Sequence, residues 1–379
     1  MRDGAPDEVM GTAYRWRSTI QSWGPTGDLL AEDVPLVAGD LSWDVASRGV
    51  PEQLTLTVPR YSTVDGDRFD WLPQEDVTHP LATFGQTLTI SVTIASTVTG
   101  EEYVTPLARV RVQSWDEDEA GQVTVTGVGM LQTAADDVLQ VPQSPDEDST
   151  MVSEFARLLP GSLAVAVSDD VTDRACLPGT QWAGPRLDAL YDIADALPAR
   201  LRTDEDGNVV MLLPQLEDVP VPVQTYRDGE IDAGTGMATL ISAPRADTRD
   251  GIVNSVTVLS NYTSADGTVA NVVVEQTTGP FAVDSYGRVS EAWTSEQIGS
   301  EVEAMAAGKA RLAAGLRPAR TVAVQVAPDP RIEVDDPLAV VRDGIERRGY
   351  VLAASLDLTG QTATTLTVGI TSEIGSVAA

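Results

Sequence analysis

The chain has 379 residues, and its 57 aspartates and glutamates against 25 lysines and arginines give a formal net charge of −32. A surplus this large disfavours a nucleic-acid binder or a protein of anionic membrane surfaces, because both kinds of binding need clustered cations. The single cysteine, Cys176, and the single histidine, His79, exclude an intrachain disulfide and any zinc site built from several such ligands. At roughly 100–200 residues per domain, the length allows two or three domains.

The N-terminus is acidic and no apolar run follows it, so the sequence predicts no secretory signal. No stretch approaches the roughly eighteen consecutive apolar residues that a membrane-spanning helix needs. We therefore expect a chain that is synthesised in the cytoplasm and does not insert into a membrane.

The first third of the sequence, residues 12–131, is predicted to form β-strands separated by turns. Residues 87–94 alternate apolar and hydroxyl side chains, which is the period of a half-buried strand. Residues 108–115 and 122–128 continue the pattern and complete a β-meander. Five tryptophans of this region are expected in the core and rim of a β-barrel, in preference to a stacking platform for sugars. They are Trp16, Trp23, Trp43, Trp71 and Trp115.

A change of period after the proline- and acid-rich residues 141–148 predicts a small α+β insert over residues 146–245. Two helices are predicted there, the first capped by Ser149 or Thr150 and ending at Pro160, the second running from Pro185 to Pro198. A turn at 203–208 then leads into a strand at 209–213.

Strands return after Gly251 and are interrupted by one long helix, predicted over residues 294–315. Thr294 and Gln297 match a capping box, and Gly315 marks the end of the helix. The predicted buried stripe consists of Ile298, Val302, Met305, Ala306 and Leu312. Further strands are predicted at residues 321–326, 338–341, 350–358 and 364–370.

The acidic turns are the available candidates for a metal site. Counting an EF-hand loop from Asp116 places Gly127 where the twelfth-position glutamate is needed, and counting from Asp204 places Val209 at the glycine position. Solvated turns are therefore the favoured interpretation, and we assign no metal or cofactor site.

Nucleophilic catalysis receives equally little support. A serine or cysteine nucleophile would have to use His79 as its base, and a lone thiol such as Cys176 is usually packed and inert. A glycosidase needs two carboxylates but no histidine or cysteine. No pair of carboxylates in the sequence stands out as a candidate. We assign no catalytic residue.

The order of these elements resembles the baseplate-hub family of tailed bacteriophages, which includes minor tail proteins of actinobacterial siphophages. The hairpins at residues 85–128 resemble the family's first barrel, and the helix and hairpin at residues 187–214 resemble its insert. The strand at residues 249–258 resembles the start of the second barrel, and residues 335–341 and 350–355 resemble its last strands. Relatives usually have glycine at the position of Asp335, so the turn there is expected to differ.

The resemblance implies a mainly β fold with two β-barrel-like hub domains, at 1–145 and 246–379, flanking an α+β domain at 146–245. It implies a structural, non-enzymatic tail hub, a homotrimer that joins a six-fold tail-tube or distal tail ring to three-fold tip components. Implied partners are the distal tail protein or tube ring, the tape-measure protein, and fibre or spike proteins, at the virion tail tip. DNA and the tape-measure protein would pass through the enclosed channel, and we expect acidic side chains to line it so that DNA does not bind.

The alternative is a glycan-binding or glycan-hydrolysing β-protein of a phage tail or bacterial surface. It predicts exposed tryptophans beside a carboxylate pair about 5–10 Å apart.

Overall fold

β-Strands dominate the chain, as the alternating apolar pattern predicts. A computed structural model describes residues 1–45, 48–64, 66–216, 221–228, 238–244, 251–263, 269–316 and 321–374. These residues form 23 strands and six helices. The predicted fold class, mainly β with an α+β insert, is confirmed.

The N-terminal part forms one antiparallel run of strands. Its elements are α1 (Asp7–Met10), β1 (Tyr14–Trp23), β2 (Leu29–Ala31), β3 (Ala38–Asp44), β4 (Glu52–Pro59), β5 (Tyr61–Val64), β6 (Asp67–Asp70), β7 (Thr87–Ser96), β8 (Glu102–Glu117) and β9 (Gln122–Gly129). The strand order is β2-β1-β7-β8-β9-β4-β3, and β5 and β6 form a separate hairpin. Side chains of β7 and β9 alternate between buried and half-buried positions, so the predicted meander is confirmed.

The insert contains the two predicted helices. Its elements are α2 (Gln132–Asp136), β10 (Val138–Gln143), α3 (Met151–Leu158), β11 (Ala164–Val167), β12 (Trp182–Pro185), α4 (Arg186–Ala196), β13 (Ala199–Thr203) and β14 (Val209–Pro214). Thr150 caps α3 through a reciprocal pair of bonds with Ser153, which confirms one of the two predicted caps. The helices pack with the sheet β11-β14-β13 around a hydrophobic cluster of their own, which also includes Leu131 and Leu139.

The C-terminal part contains two sheets. Its elements are β15 (Gln224–Arg227), β16 (Ala238–Ser242), β17 (Ser255–Thr263), β18 (Val269–Glu275), α5 (Val283–Tyr286), β19 (Ser290–Ser295), α6 (Glu301–Leu316), β20 (Thr321–Val326), β21 (Pro337–Arg342), β22 (Ile345–Asp357) and β23 (Thr364–Ile374). The order β18-β17-β19 makes a small sheet under α6, and the remaining strands follow the order β22-β21-β15-β16-β20-β23.

Strand β22 joins the N-terminal and C-terminal runs into one sheet of 13 strands. Residues 345–350 of β22 pair with β21, and residues 353–357 pair with β3. The other edge of β22 pairs with β23. Both runs therefore bury their apolar faces in one hydrophobic cluster, which extends from Ala5 to Ile370.

The two runs differ in closure. The C-terminal run begins with β22 and ends with β23, and these two strands also pair with each other. The pairing is weak in the middle of the run, where β15 and β16 share only two register positions and β16 is irregular against β20. The N-terminal run is open in the described residues, where β1 and β3 do not pair. The runs are barrel-like rather than regular closed barrels.

The long helix begins later than predicted. Thr294 lies in β19 and pairs with Leu259 of β17, so it cannot cap a helix. Instead, Ser300 Oγ accepts a hydrogen bond from the backbone N of Glu303 (3.3 Å), and Glu303 Oε2 accepts from the backbone N of Ser300 (3.2 Å). These reciprocal bonds satisfy the free N–H groups of the first turn. The predicted range 294–315 is therefore corrected to 301–316.

The predicted buried stripe was correct at Ile298 and Leu312 but wrong at Val302, Met305 and Ala306, which are exposed. The other buried positions of the helix are Ala304, Ala307 and Gly308. A Cβ at Gly308 would lie 2.7 Å from Val274 Cγ2, so the helix approaches the small sheet too closely for larger side chains. Small residues therefore define the packed face.

Part of the predicted domain scheme lies outside the described residues, namely the boundary at 245–246 and Arg249. Residues 255–258 belong to β17 of the small sheet, and the C-terminal run instead takes β15 and β16 from before residue 245. The boundaries at 145–146 and 245–246 stay a prediction.

Candidate functional site

His79 is buried and structural. Its Nδ1 accepts a hydrogen bond from the backbone N of Leu81 (3.1 Å), so its Nε2 carries the proton and donates to the carbonyl oxygen of Asp70 (3.0 Å). Burial lowers the pKa of His79, which favours the neutral ring. The ring also stacks on Phe69.

Cys176 is half-buried beside Met151, with 3.8 Å between the two sulfur atoms. Burial, followed by the charge of Glu154, raises the pKa of the Cys176 thiol to about 11. A thiol that stays protonated at neutral pH is a poor nucleophile. This environment agrees with the predicted packing role.

The acidic turns are stabilised by their own carboxylates. Asp204 Oδ1 accepts hydrogen bonds from the backbone N of Asn208 and of Val209, both at 2.9 Å, and Asp118 Oδ1 accepts from the backbone N of Gln122 (2.8 Å). In the described part of the chain, no group of three or more His, Cys, Asp or Glu side chains could hold a metal ion.

Across the same residues, no helix is both long and apolar enough to cross a membrane.

The tryptophans pack in the core and at its rim, as predicted. Trp43, Trp71 and Trp182 are buried, and the other four are half-buried. Trp71 Nε1 donates a hydrogen bond to Ser62 Oγ (2.7 Å), and Trp182 Nε1 donates to Glu154 Oε2 (3.0 Å). An exposed row of rings, which the glycan alternative predicts, is therefore not formed by these seven side chains.

A cluster of charges lies where the insert contacts both strand runs. Asp335 has a φ of +67°, and its Oδ2 accepts hydrogen bonds from Arg200 Nη1 and from Arg202 Nε, the latter at 2.5 Å. The turn was expected to differ from one built on glycine, yet Asp335 adopts the left-handed conformation that glycine favours. Because both arginines belong to β13, the aspartate also anchors the insert.

A cavity of about 170 Å³ adjoins this cluster, and the buried side chains of Arg2 and Glu52 line it. Arg2 Nη1 donates a hydrogen bond to the carbonyl oxygen of Ile332 (2.6 Å), and the Arg2 guanidinium lies 4.6 Å from the Trp43 ring centre. Glu52 Oε1 accepts from Thr203 Oγ1, and burial raises the pKa of Glu52. These contacts join the N-terminal run, the insert and the C-terminal run.

A second set of ion pairs connects the insert to α6. Asp195 of α4 contacts both Arg48 and Arg311, and Arg311 also contacts Glu291 of β19 at 2.7 Å. The Arg311 guanidinium lies 5.0 Å from the Trp293 ring centre. This chain of charges is structural, since each member is paired with the next.

A broad surface available for interaction is the outer face of six neighbouring strands, β20, β23, β22, β3, β4 and β9. The registers place one set of side chains on this face, all of them exposed or half-exposed. We call it the open sheet face: Thr321, Ala323, Gln325, Thr365, Thr367, Ala353, Ser355, Asp357, Ala38, Asp40, Ser42, Asp44, Gln53, Thr55, Thr57, Thr124, Thr126 and Val128. The set is dominated by hydroxyl and amide groups, and its charged members are three aspartates.

The polar positions of the alternating strands, which the sequence shows, are the positions that form this face. Sequence reasoning missed it because the pairing of β22 with β3, which joins the two runs, links residues about 310 positions apart.

Solved structures of tail proteins share this fold. The tail protein from Neisseria meningitidis MC58 matches with a TM-score of 0.62 at 14% identity, covering 93% of this chain and 96% of that protein. This chain has the fold of phage tail proteins.

Two further tail proteins share this tail-protein fold. The 43 kDa tail protein of prophage MuSo2 from Shewanella oneidensis matches with a TM-score of 0.58 at 10% identity, covering 92% of this chain and 97% of its own. The prophage tail protein gp18 from Listeria monocytogenes EGD-e matches with a TM-score of 0.53 at 10% identity, covering 95% of both chains. No protein-family model matches the sequence, and no curated protein matches it. The likeness is therefore one of fold.

Proposed function

We propose that the protein is a structural component of a phage tail, a trimeric hub that adapts a six-fold tail-tube or distal tail ring to three-fold tip components. One observation carries this proposal: the tail-protein fold extends over more than nine tenths of this chain and of each of three tail proteins. Agreement over entire chains favours a shared architectural role over a borrowed domain.

The organisation of the strands supports the symmetry part of the proposal. One chain contributes an N-terminal run of seven strands, β2-β1-β7-β8-β9-β4-β3, and a C-terminal run of six, β22-β21-β15-β16-β20-β23, joined along β22. Three copies around an axis would present six such runs to a six-fold ring. The predicted scheme takes residues 1–145 and 246–379 as the two hub domains and residues 146–245 as the insert, but the second run also includes β15 and β16 from before residue 245.

The open sheet face is our choice for the wall of the enclosed channel. Its side chains are short, it carries no lysine or arginine, and Asp40, Asp44 and Asp357 supply its formal charge. Such a surface offers DNA phosphates no cationic partner, so DNA and the tape-measure protein can pass without binding. The proposed lining is thus rich in hydroxyl groups with a few acids, rather than acidic throughout.

The proposed role is non-enzymatic and needs no cofactor. Its partners would be the distal tail or tail-tube ring above, the tape-measure protein within, and fibre or spike proteins below, at the tip of the virion tail. The glycan-active alternative predicts exposed tryptophans, whereas each of the seven tryptophans is buried or half-buried.

Two measurements test the proposal. Native mass spectrometry of the purified chain is expected to show a trimer, and mass spectrometry of purified virions is expected to find the chain in tails at three copies per particle. A chain that stays monomeric at all concentrations and is missing from tails would refute the hub role.

A further inference from the structure

The connection between β6 and β7, residues 71–86, is a long loop without helix or strand, and we call it the apolar loop. Loops of this length within a compact fold are commonly functional, and compact ones are packed by their own side chains. Its inner residues Trp71, Leu81 and Ala82 are buried in the core. The apolar loop is therefore fixed to the sheet rather than loosely attached.

Two buried polar side chains hold the apolar loop from inside. Gln86 is completely buried, its Nε2 donates a hydrogen bond to the carbonyl oxygen of Val77 (2.7 Å), and its Oε1 accepts from the backbone N of Phe84 (3.0 Å). His79 joins the backbone of Asp70 to that of Leu81, as described above. One amide thus fixes the two backbone positions from which Val77 and Phe84 project.

Both of these side chains face solvent. Val77 is 53% exposed and Phe84 is 59% exposed. Exposed aromatic rings on a preorganised backbone are typical of anchors at protein–protein interfaces, because little conformational entropy is lost when they bind. In a chain that buries or half-buries all its tryptophans, this phenyl ring stands out.

The charge around the two side chains is negative. Glu75 and Asp76 are exposed in the same loop, and hydrogen bonds from Thr78 lower the pKa of Asp76, which keeps it ionised. Gly85 lies against Pro25, next to the turn that contains the exposed Asp28. Residues 71–86 contain no lysine or arginine, and His79 is buried.

We propose that Val77 and Phe84 form an anchor that inserts into an apolar pocket with a basic rim on a different protein of the same assembly. A second copy of this chain is the less suitable occupant, since a basic rim is harder to form on a surface with 57 acidic against 25 basic side chains. The anchor proposal rests on the proposed tail function, because the anchor is tested in assembled tails.

Photo-cross-linking in assembled tails tests the anchor directly. A benzophenone amino acid replaces Phe84, and the same group at Val98, which is 79% exposed in the β7–β8 turn, is the matched control. We expect position 84 to cross-link to one other tail protein through a peptide that contains lysine or arginine, and position 98 not to give this product. Cross-links between copies of this chain, or no cross-link at position 84 in tails that contain the chain, would overturn the proposal.

Substitutions measure the strength of the anchor. Phe84→Ser and Glu75→Lys are each expected to lower incorporation into tails by about tenfold, whereas Val98→Ser leaves it unchanged. Circular dichroism of the purified variants should match the wild type, because both altered side chains are exposed. Immunoblotting of wild-type tails for this chain tests the hub proposal separately, so a failure there is distinguishable from a failure of the anchor.

Discussion

Asp335 and Arg202 lie far apart in the sequence but meet in a hydrogen bond of 2.5 Å between Arg202 Nε and Asp335 Oδ2. The aspartate adopts a left-handed backbone to do so, with a φ of +67°, and its side chain is only 11% exposed. Non-glycine residues adopt this conformation at a cost of roughly 1–2 kcal/mol. The ion pairs with Arg200 and Arg202 offset that cost and fix the insert against the C-terminal run.

Replacing Asp335 with glycine should therefore destabilise the protein although it relieves the backbone. We expect Asp335→Gly to lower the free energy of unfolding by about 2 kcal/mol, because two mostly buried guanidinium groups lose their carboxylate. Urea denaturation measures the change. Asp343→Gly is the control, since Asp343 also has a positive φ (+52°) but a side chain that is 59% exposed. A more stable Asp335→Gly variant would show that strain outweighs the ion pairs.

Glu52 should make stability depend on pH. Burial raises its pKa in the folded state, so the unfolded chain loses the proton first and stability falls as the pH rises from about 4.5 towards the folded pKa. Glu52→Gln removes this contribution, and its stability relative to wild type should rise by up to about 1.4 kcal/mol per pH unit in that window. Urea midpoints between pH 4.5 and 8 measure the difference. If the free energy of unfolding changes with pH equally in the variant and the wild type, the raised pKa of Glu52 is contradicted. Glu119→Gln, at an exposed turn, is the control for the loss of a carboxylate.

The contact of α6 with the small sheet should not accept a larger residue at position 308. Gly308→Val would place its side chain against Val274 and Val258 and should lower the free energy of unfolding by about 2–3 kcal/mol, as overpacking typically does. Ala306→Val, at an exposed position of the same helix, should lower it by no more than about 0.7 kcal/mol, which is the helix-propensity difference. Urea denaturation of both variants checks the prediction. Because valine is a better helix former than glycine, a loss at position 308 can only come from packing, and no loss there would contradict the prediction.

Cations on the open sheet face should slow DNA passage if this face lines the channel. Thr126→Arg and Thr367→Arg together are expected to slow genome ejection several-fold in a fluorescence assay of single virions, because each guanidinium offers the phosphates a partner. Thr63→Arg, exposed on the β5–β6 hairpin, is the control. Ejection at the wild-type rate from virions that contain the double variant would exclude this face from the channel wall.

The local elements were largely predictable because their signals lie within a few residues. Alternation along residues 87–94 correctly identified β7, and the cap at Thr150 correctly identified the start of α3. The start of α6 was not decided locally, since Thr294 with Gln297 and Ser300 with Glu303 both match the capping pattern. Pairing of Thr294 with Leu259 in the small sheet removed the first possibility. An alanine-rich helix also has no strong apolar stripe, so its packed face depended on how closely the sheet approached.

The sequence by itself determined the mainly β class, the helices of the insert, the lack of a disulfide and the scarcity of histidine and cysteine chemistry. These properties follow from composition and from short periodicities, which specify which side of each strand is apolar. The tertiary structure alone decided that β22 joins β3, that Asp335 meets Arg200 and Arg202, and that Gln86 holds Val77 and Phe84 towards solvent. Such contacts depend on which strand edges and loops meet across the chain, and that choice is made by the shared burial of the whole core rather than by any local pattern.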